Sequence, residues 1–240
     1  MTDLFLTQAN DRHPSERHPL PRSALAQHAP YHRVYPRYVK RWLDICLTLA
    51  ALPLVVPLLA LLWLWVRRDG GPGFYRQARI GRNGQRFTCW KLRTMCLDAD
   101  TALSRLLAHD PARALEWSDN QKLQNDPRVT RTGRWLRACS LDELPQLWCV
   151  LRGEMSLVGP RPFMPNQLHD YLAASGPDRA RAYLAQRPGL TGLWQVEGRG
   201  GTDFAARARF DQRYASALSL RADLLLLLRT IGVVCRRTGQ

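Results

Sequence analysis

Between Leu43 and Val66 the chain reads LDICLTLAALPLVVPLLALLWLWV, apolar apart from Asp44 and Thr48. As a helix rising about 1.5 Å per residue, the stretch would be about 36 Å long, against about 30 Å for the hydrocarbon core of a bilayer. A run this long with no polar face exceeds the core helix of a soluble domain, so it commits the chain to lipid. Arg37, Lys40 and Arg41 precede it, and Arg67, Arg68, Arg76 and Arg79 follow it. The positive-inside tendency places both flanks in the cytoplasm, which a straight crossing violates on one side. A helix that enters, breaks and returns violates it on neither. Pro53 and Pro57 are the expected break, since each removes a helical donor and crowds the preceding turn. Prolines also occur in spanning helices, so a true crossing remains the alternative. Asp44 is expected near the cytoplasmic interface, paired with a flanking arginine.

Base outnumbers acid 35 to 20 in the 240 residues, a formal charge of +15. Such an excess predicts an anionic partner: nucleic acid, anionic lipid or a phosphorylated substrate. The six cysteines form no CxxC pair and no zinc-spaced cluster with histidine, and a disulfide framework is not expected. Met1 to Pro36, rich in His, Arg, Pro, Ser and Gln, has little apolar periodicity and reads as a disordered tail. The expected organisation is a tail over 1–37, a re-entrant membrane helix over 38–68, and a cytosolic domain over 69–240 with a C-terminal interfacial helix.

The densest chemistry lies in LRACSLDELPQLWCVLRGEMSLVGPRP, Leu136 to Pro162. Asp142 and Glu143 are adjacent acids in a strongly basic chain, preceded by Arg137 and followed by the rigid turn Gly159-Pro160-Arg161-Pro162. Paired carboxylates among arginines suit a divalent cation held against a phosphate, since Mg²⁺ takes one or two carboxylates plus substrate phosphates. An Asp carboxylate can also act as the nucleophile. Ser140-Leu141-Asp142-Glu143 is equally a capping box, with Ser140 as N-cap. Pro145 moves the helix start later and leaves the acids at its mouth, so both readings hold together.

Arg82-Asn83-Gly84 is a hairpin turn between strand-like arms at Phe74–Ile80 and Gln85–Leu92. The hairpin and the residues just after it carry Arg76, Arg79, Arg82, Arg86, Lys91 and Arg93 and no acid. Lys91 and Arg93 are candidate phosphate ligands; meeting lipid headgroups is the simpler role of such a hairpin. Helices are predicted over Leu97–His109, from about Arg128 through Arg131, Arg134 and Arg137, and over Asp203–Leu218. Leu220–Arg237 is too interrupted by charge to span, and either lies in the interface plane or closes the core.

With these stretches in view the chain resembles the bacterial sugar transferases, the monotopic polyprenyl-phosphate phosphoglycosyl transferases. The likeness is carried by Lys40-Arg41 with Asp44 and Pro53; Gln77, Arg79, Gly81 and Gly84; Lys91 to Met95; Arg128-Val129-Thr130 with Gly133; Arg137 to Leu147; Met155 to Pro162; and Arg187 to Arg199. Leu92, Cys149 and Glu154 depart from the usual pattern without touching the acidic pair.

The resemblance implies a mainly α fold with a small β-hairpin, a re-entrant membrane helix and interfacial amphipathic helices, at the cytoplasmic face of the bacterial inner membrane. It implies Mg²⁺-dependent transfer of a sugar-1-phosphate from a UDP-sugar to polyprenyl (undecaprenyl) phosphate, with release of UMP, at the start of exopolysaccharide assembly. Asp142 would be the nucleophile and Glu143 its partner, both also serving the metal. Lys91, Arg93, Arg128, Arg137, Arg161 and Arg199 would bind phosphates, with Gln77, Pro160, Pro162 and Asp211 in support. No nucleic acid is expected, and a homodimer is compatible with the pattern. A membrane-tethered nucleic-acid-binding or scaffolding protein is the competing class, but it leaves the acidic pair without a purpose and shows no recognition motif.

Overall fold

The computed structural model describes residues 5–7, 35–120, 123–198 and 204–235. Most of the expected tail lies outside them, as does Arg199. Within the tail, Phe5–Thr7 form a strand, β1. The apolar segment forms one helix, α1, Lys40–Val66, long and apolar enough to cross a membrane by length and composition.

Helix α1 runs through Pro53 and Pro57 without interruption, which corrects the expected break. Asp44, Thr48, Leu62 and Val66 are buried, with Ala51, Leu52, Val55, Leu58 and Leu59 half-buried between them. That three-to-four spacing is one helical stripe, laid along the rest of the protein. Both prolines are exposed, with Leu49, Leu54, Val56, Leu61 and Leu64. Proline bends a helix away from its own ring. With both rings on the outer face, any such bend would be towards the docked stripe, and the helix continues without a break. Each end is anchored. Near the start, the Arg41 Nη atoms donate to the carbonyls of Val150 (2.6 Å) and Leu151 (2.8 Å). Asp44 Oδ1 accepts from Ser156 Oγ and from the Leu157 amide, both at 3.0 Å. At the far end Leu62 and Val66 share an apolar cluster with Leu92 and Leu136.

The hairpin follows as expected: β2 is Phe74–Ile80, β3 is Arg86–Leu92, and they pair antiparallel with Gln77 opposite Cys89. Asn83 (φ 57°) and Gly84 (φ 75°) take the left-handed conformations that the turn requires. β1 adds parallel to β2, making three strands. Helices α2 (Ala99–His109) and α3 (Pro111–Asn120) come next. Pro111 is the first residue of α3, where its missing N–H costs nothing.

Helix α4 is Arg131–Ala138, capped by Thr130, whose hydroxyl accepts from the Gly133 amide. It starts three residues later than expected and leaves Arg128 outside. A tight helical turn, Leu141–Gln146, then leads into α5, Leu147–Arg152. Beyond it lie β4 (Ser156–Val158), α6 (Pro165–Ser175), α7 (Pro177–Leu184), β5 (Gly189–Thr191) and α8 (Leu193–Glu197). Helices α9 (Phe204–Ala217) and α10 (Leu220–Cys235) complete the described chain. β4 and β5 form a second, parallel pair that the sequence did not announce. Helix α10 does two things at once. It buries Leu226 and Asp223 and turns Leu220, Leu224, Leu225, Leu228 and Ile231 outward.

Candidate active site

Side chains alternate along a strand, so Gln77 and Arg79 on β2 share a face with Cys89 and Lys91 on β3. That face lies against the Leu141–Gln146 turn. Lys91 Nζ is 2.7 Å from Glu143 Oε1. Ser140, which opens the turn, adopts a left-handed conformation (φ 55°) and makes no side-chain cap. The capping-box reading therefore does not hold, and Glu143 is spent on cations instead of on a helix end.

The Gly159–Pro162 turn closes the opposite wall. The Gly159 amide donates to Thr191 O (2.8 Å), and a Cβ on Gly159 would come within 2.4 Å of Arg187 O. Only glycine permits that approach between the β4 and β5 segments. The turn carries Arg161 out so that its Nη2 is 3.7 Å from Glu143 Oε1. Arg79, Lys91, Glu143, Gln146, Arg161, Gly189, Leu190 and Gln195 line the resulting cleft.

The two acids are driven apart electrostatically. For Asp142, burial is the largest influence and raises its pKa; Lys91 and Arg137 oppose it, the neighbouring Glu143 adds to it, and the net shift is upward. Burial would raise Glu143 as well, but Lys91 and then Arg161 outweigh it and hold its carboxyl at about 2. Paired carboxyls with divergent protonation preferences are characteristic of acid, base and nucleophile sites.

Other expected residues fall into three groups. Arg137 remains at the site: its Nε donates to Thr94 Oγ1 (2.9 Å), and its charge faces Asp142. Gln77 and Asp211 stand behind the cleft. Gln77 accepts from Arg79 and donates to Met164 Sδ (3.2 Å), while Asp211 accepts from Tyr171 Oη (2.9 Å). Arg93 and Arg128 are placed elsewhere. Arg93 is buried, and its five N–H groups go to both Asp69 oxygens and to the carbonyls of Pro72, Met95 and Val66. It locks the exit of α1 to the end of β3. Arg128 is buried in a two-pronged pair with Asp126, over the Trp117 ring.

Arg79 belongs to the site and was not among the expected ligands. Its Nη1 donates to Pro162 O (3.1 Å), its Nε is buried without a hydrogen-bond partner, and it lines the cleft. The signal was available: Arg79 lies two residues from Gln77, on the same strand face as Lys91. Gln146, one helical turn after Glu143, could have been found the same way. Leu190 and Gln195 could not, because β5 reaches the cleft only through its pairing with β4.

Comparison with known proteins assigns the chain to a family. Residues 35–237 match the bacterial sugar transferase family. The chain is 45% identical over 203 residues to the undecaprenyl-phosphate galactose phosphotransferase of Salmonella typhimurium, covering 85% of this chain but 42% of that protein. It thus spans about two fifths of that relative's length. It is 46% identical to the exopolysaccharide production protein ExoY of Sinorhizobium fredii, covering 84% of this chain and 87% of that one. It is 43% identical to the UDP-glucose:undecaprenyl-phosphate glucose-1-phosphate transferase of Caulobacter vibrioides, covering 84% and 72%. The chain belongs to the bacterial sugar transferase family.

Proposed function

We propose that the chain transfers a sugar-1-phosphate from a UDP-sugar to a polyprenyl phosphate such as undecaprenyl phosphate, through a covalent intermediate on Asp142, at the cytoplasmic face of the bacterial inner membrane. The observation that carries this reading is the pair Asp142 and Glu143 set among Lys91, Arg137, Arg161 and Arg79, on a body whose apolar helix has a lipid-compatible face along its length. The names of the Salmonella and Caulobacter relatives point to the same substrate classes.

The chemistry follows from the charges. In the first step an Asp142 oxygen bonds to the sugar-bearing phosphorus, the bond from that phosphorus to the bridging oxygen breaks, and UMP leaves with the electron pair. In the second, a phosphate oxygen of the polyprenyl phosphate attacks the same phosphorus and the Asp142 carboxylate is released. An anion attacking a diphosphate is opposed by repulsion unless cations neutralise it, and that electrostatic contribution dominates phosphoryl transfer. Arg161 and Arg79, which line the cleft, would meet the diphosphate, and Lys91 would keep Glu143 ionised and in place.

The donor set fits Mg²⁺: two adjacent carboxylates offer hard oxygens, and no third acid joins them among the described residues. Asp142 and Glu143 would hold the ion together with the donor's phosphates. When bound it supplies neutralisation of the diphosphate charge.

We also read the unbroken helix α1 as embedded from one side of the membrane without a crossing. The docked stripe along α1 supports this.

The test is to incubate membranes with Mg²⁺, polyprenyl phosphate and a panel of UDP-sugars and to measure UMP. Asp142→Asn is expected to reduce release by about a thousandfold or more, with membrane association unchanged. Near-normal turnover in that variant would remove Asp142 from the mechanism.

A further inference from the structure

The turn that presents Arg161 cannot stabilise itself. Pro160 and Pro162 have no N–H, so the segment is fixed largely by donors that reach its carbonyls from outside. All four carbonyls from Pro160 to Phe163 are met in this way. Pro160 O accepts from the Gly189 amide (2.8 Å), Pro162 O from Arg79 Nη1 (3.1 Å) and Phe163 O from the Ile80 amide (2.9 Å). The fourth, Arg161 O, accepts from Arg207 Nη2 on α9.

Arg207 is an unusual donor to spend on a carbonyl. It is buried, with its guanidinium carbon 3.6 Å from the centre of the Phe163 ring and 5.0 Å from that of Trp194. A planar cation between aromatic faces recovers part of its lost hydration, which an ammonium would not do as well. Asp211, one turn later on α9, is also buried and is fixed by Tyr171 Oη. Phe163 is itself fixed: its ring packs on Tyr171 and Tyr183, its amide donates to Tyr183 Oη (3.2 Å), and Tyr183 Oη donates to Ile80 O (2.9 Å). Arg207 thus has a rigid bed on one side and the backbone of Arg161 on the other.

We propose that Arg207 is a positioning residue for the donor: with Asp211 behind it, it sets the backbone of Arg161 so that the Arg161 guanidinium is already aimed at the diphosphate. Arg207 does not touch the substrate. Its effect passes through Arg161, and it connects α9 to the cleft. The inference rests on the reading of the cleft as a nucleotide-sugar site.

The experiment is a double-mutant cycle on UDP affinity, measured by equilibrium dialysis of the purified full chain in detergent with Mg²⁺. UDP carries the diphosphate whichever sugar is used. Arg207→Met is expected to weaken UDP binding about tenfold, the effect of misaligning one charge-assisted hydrogen bond. In an Arg161→Met background the same substitution is expected to change affinity less than about twofold, because the group it aims is gone. A purely structural role would give the same loss in both backgrounds. That result, or an unchanged affinity in Arg207→Met alone, overturns the proposal. If Arg207→Met does not fold, Arg207→Lys, which keeps the charge but not the flat stacking surface, is carried through the same cycle and judged by the same criterion. A wild-type chain that neither binds UDP nor releases UMP would instead defeat the functional reading, and this proposal with it.

Discussion

At Asp211, burial and pairing pull in opposite directions. Burial is the stronger and raises the carboxyl to about 6, against the opposing pull of Arg207 and the Tyr171 hydrogen bond. A carboxyl raised in the fold favours the protonated state, so its contribution to stability is full below the ordinary Asp range and is lost as pH rises through about 6. Between pH 4 and pH 7 the ionised form therefore costs about 3 kcal/mol, taken at about 1.4 kcal/mol per unit. Asp211→Asn removes this titration. The stability of wild type relative to the variant is expected to fall by about that amount across the window, and to level off above it, in denaturant unfolding in detergent. A flat difference would mean that Asp211 stays ionised throughout. Individual residues also mark where sequence reading succeeded and where it stopped. Lys91, Glu143 and Arg161 were legible as candidate members of one cleft from their charge and flanking turns, and the structure brings the three together. Arg93 and Arg128 carried the same signal and are engaged elsewhere, by Asp69 and Asp126. Charge alone does not say which arginine has already found an internal acid.

Elements were legible where the determinants are local. The hairpin needs only an Asn-Gly turn and alternating arms, and it formed where predicted. The three-residue strands β4 and β5 depend on partners 33 positions apart in register, Ser156 with Gly189, and leave no local trace. Helix α4 shows the same division. Its existence was predicted, but its position is set by contact with Thr94: the Thr130 amide donates to Thr94 O (3.0 Å), and a Cβ on Gly133 would sit 2.0 Å from that oxygen. That approach brings Arg137, one turn later, beside Thr94 and Asp142. Gly133→Ala must lift α4 from the end of β3, and overpacking of this kind costs about 1–3 kcal/mol or more. UMP release is expected to drop at least about tenfold as Arg137 moves, with a lower melting temperature in detergent. Arg131→Ala, exposed on the same helix, is the matched control and is expected to stay close to wild type.

At the scale of the whole molecule, the position of α1 decides how the protein meets the membrane. A helix of its length would reach about 40 Å if straight, more than enough to cross. In a crossing, one end stands on the far side of the bilayer, about 30 Å from anything on the near side. Here the first turns of α1 are bonded to β4 and α5 through Asp44 and Arg41, and the last turn is packed against Leu92 and Leu136. One body holds both ends, and the half-buried residues between them keep the stripe continuous. The exposed apolar side chains of α1, and those of α10, form a surface suited to lipid. Basic residues on both flanks, which made a crossing costly from the sequence alone, are consistent with the same arrangement. Reporters fused to the two ends of the chain are therefore expected to show the same, cytoplasmic side. Arg41→Ala with Asp44→Ala should release the start of α1 from α5 and β4, and protease accessibility at residues 35–39 should rise while Leu62 and Val66 stay protected. A periplasmic amino-terminal reporter in the wild-type chain would establish a crossing, and the docked stripe would then have to open in the membrane.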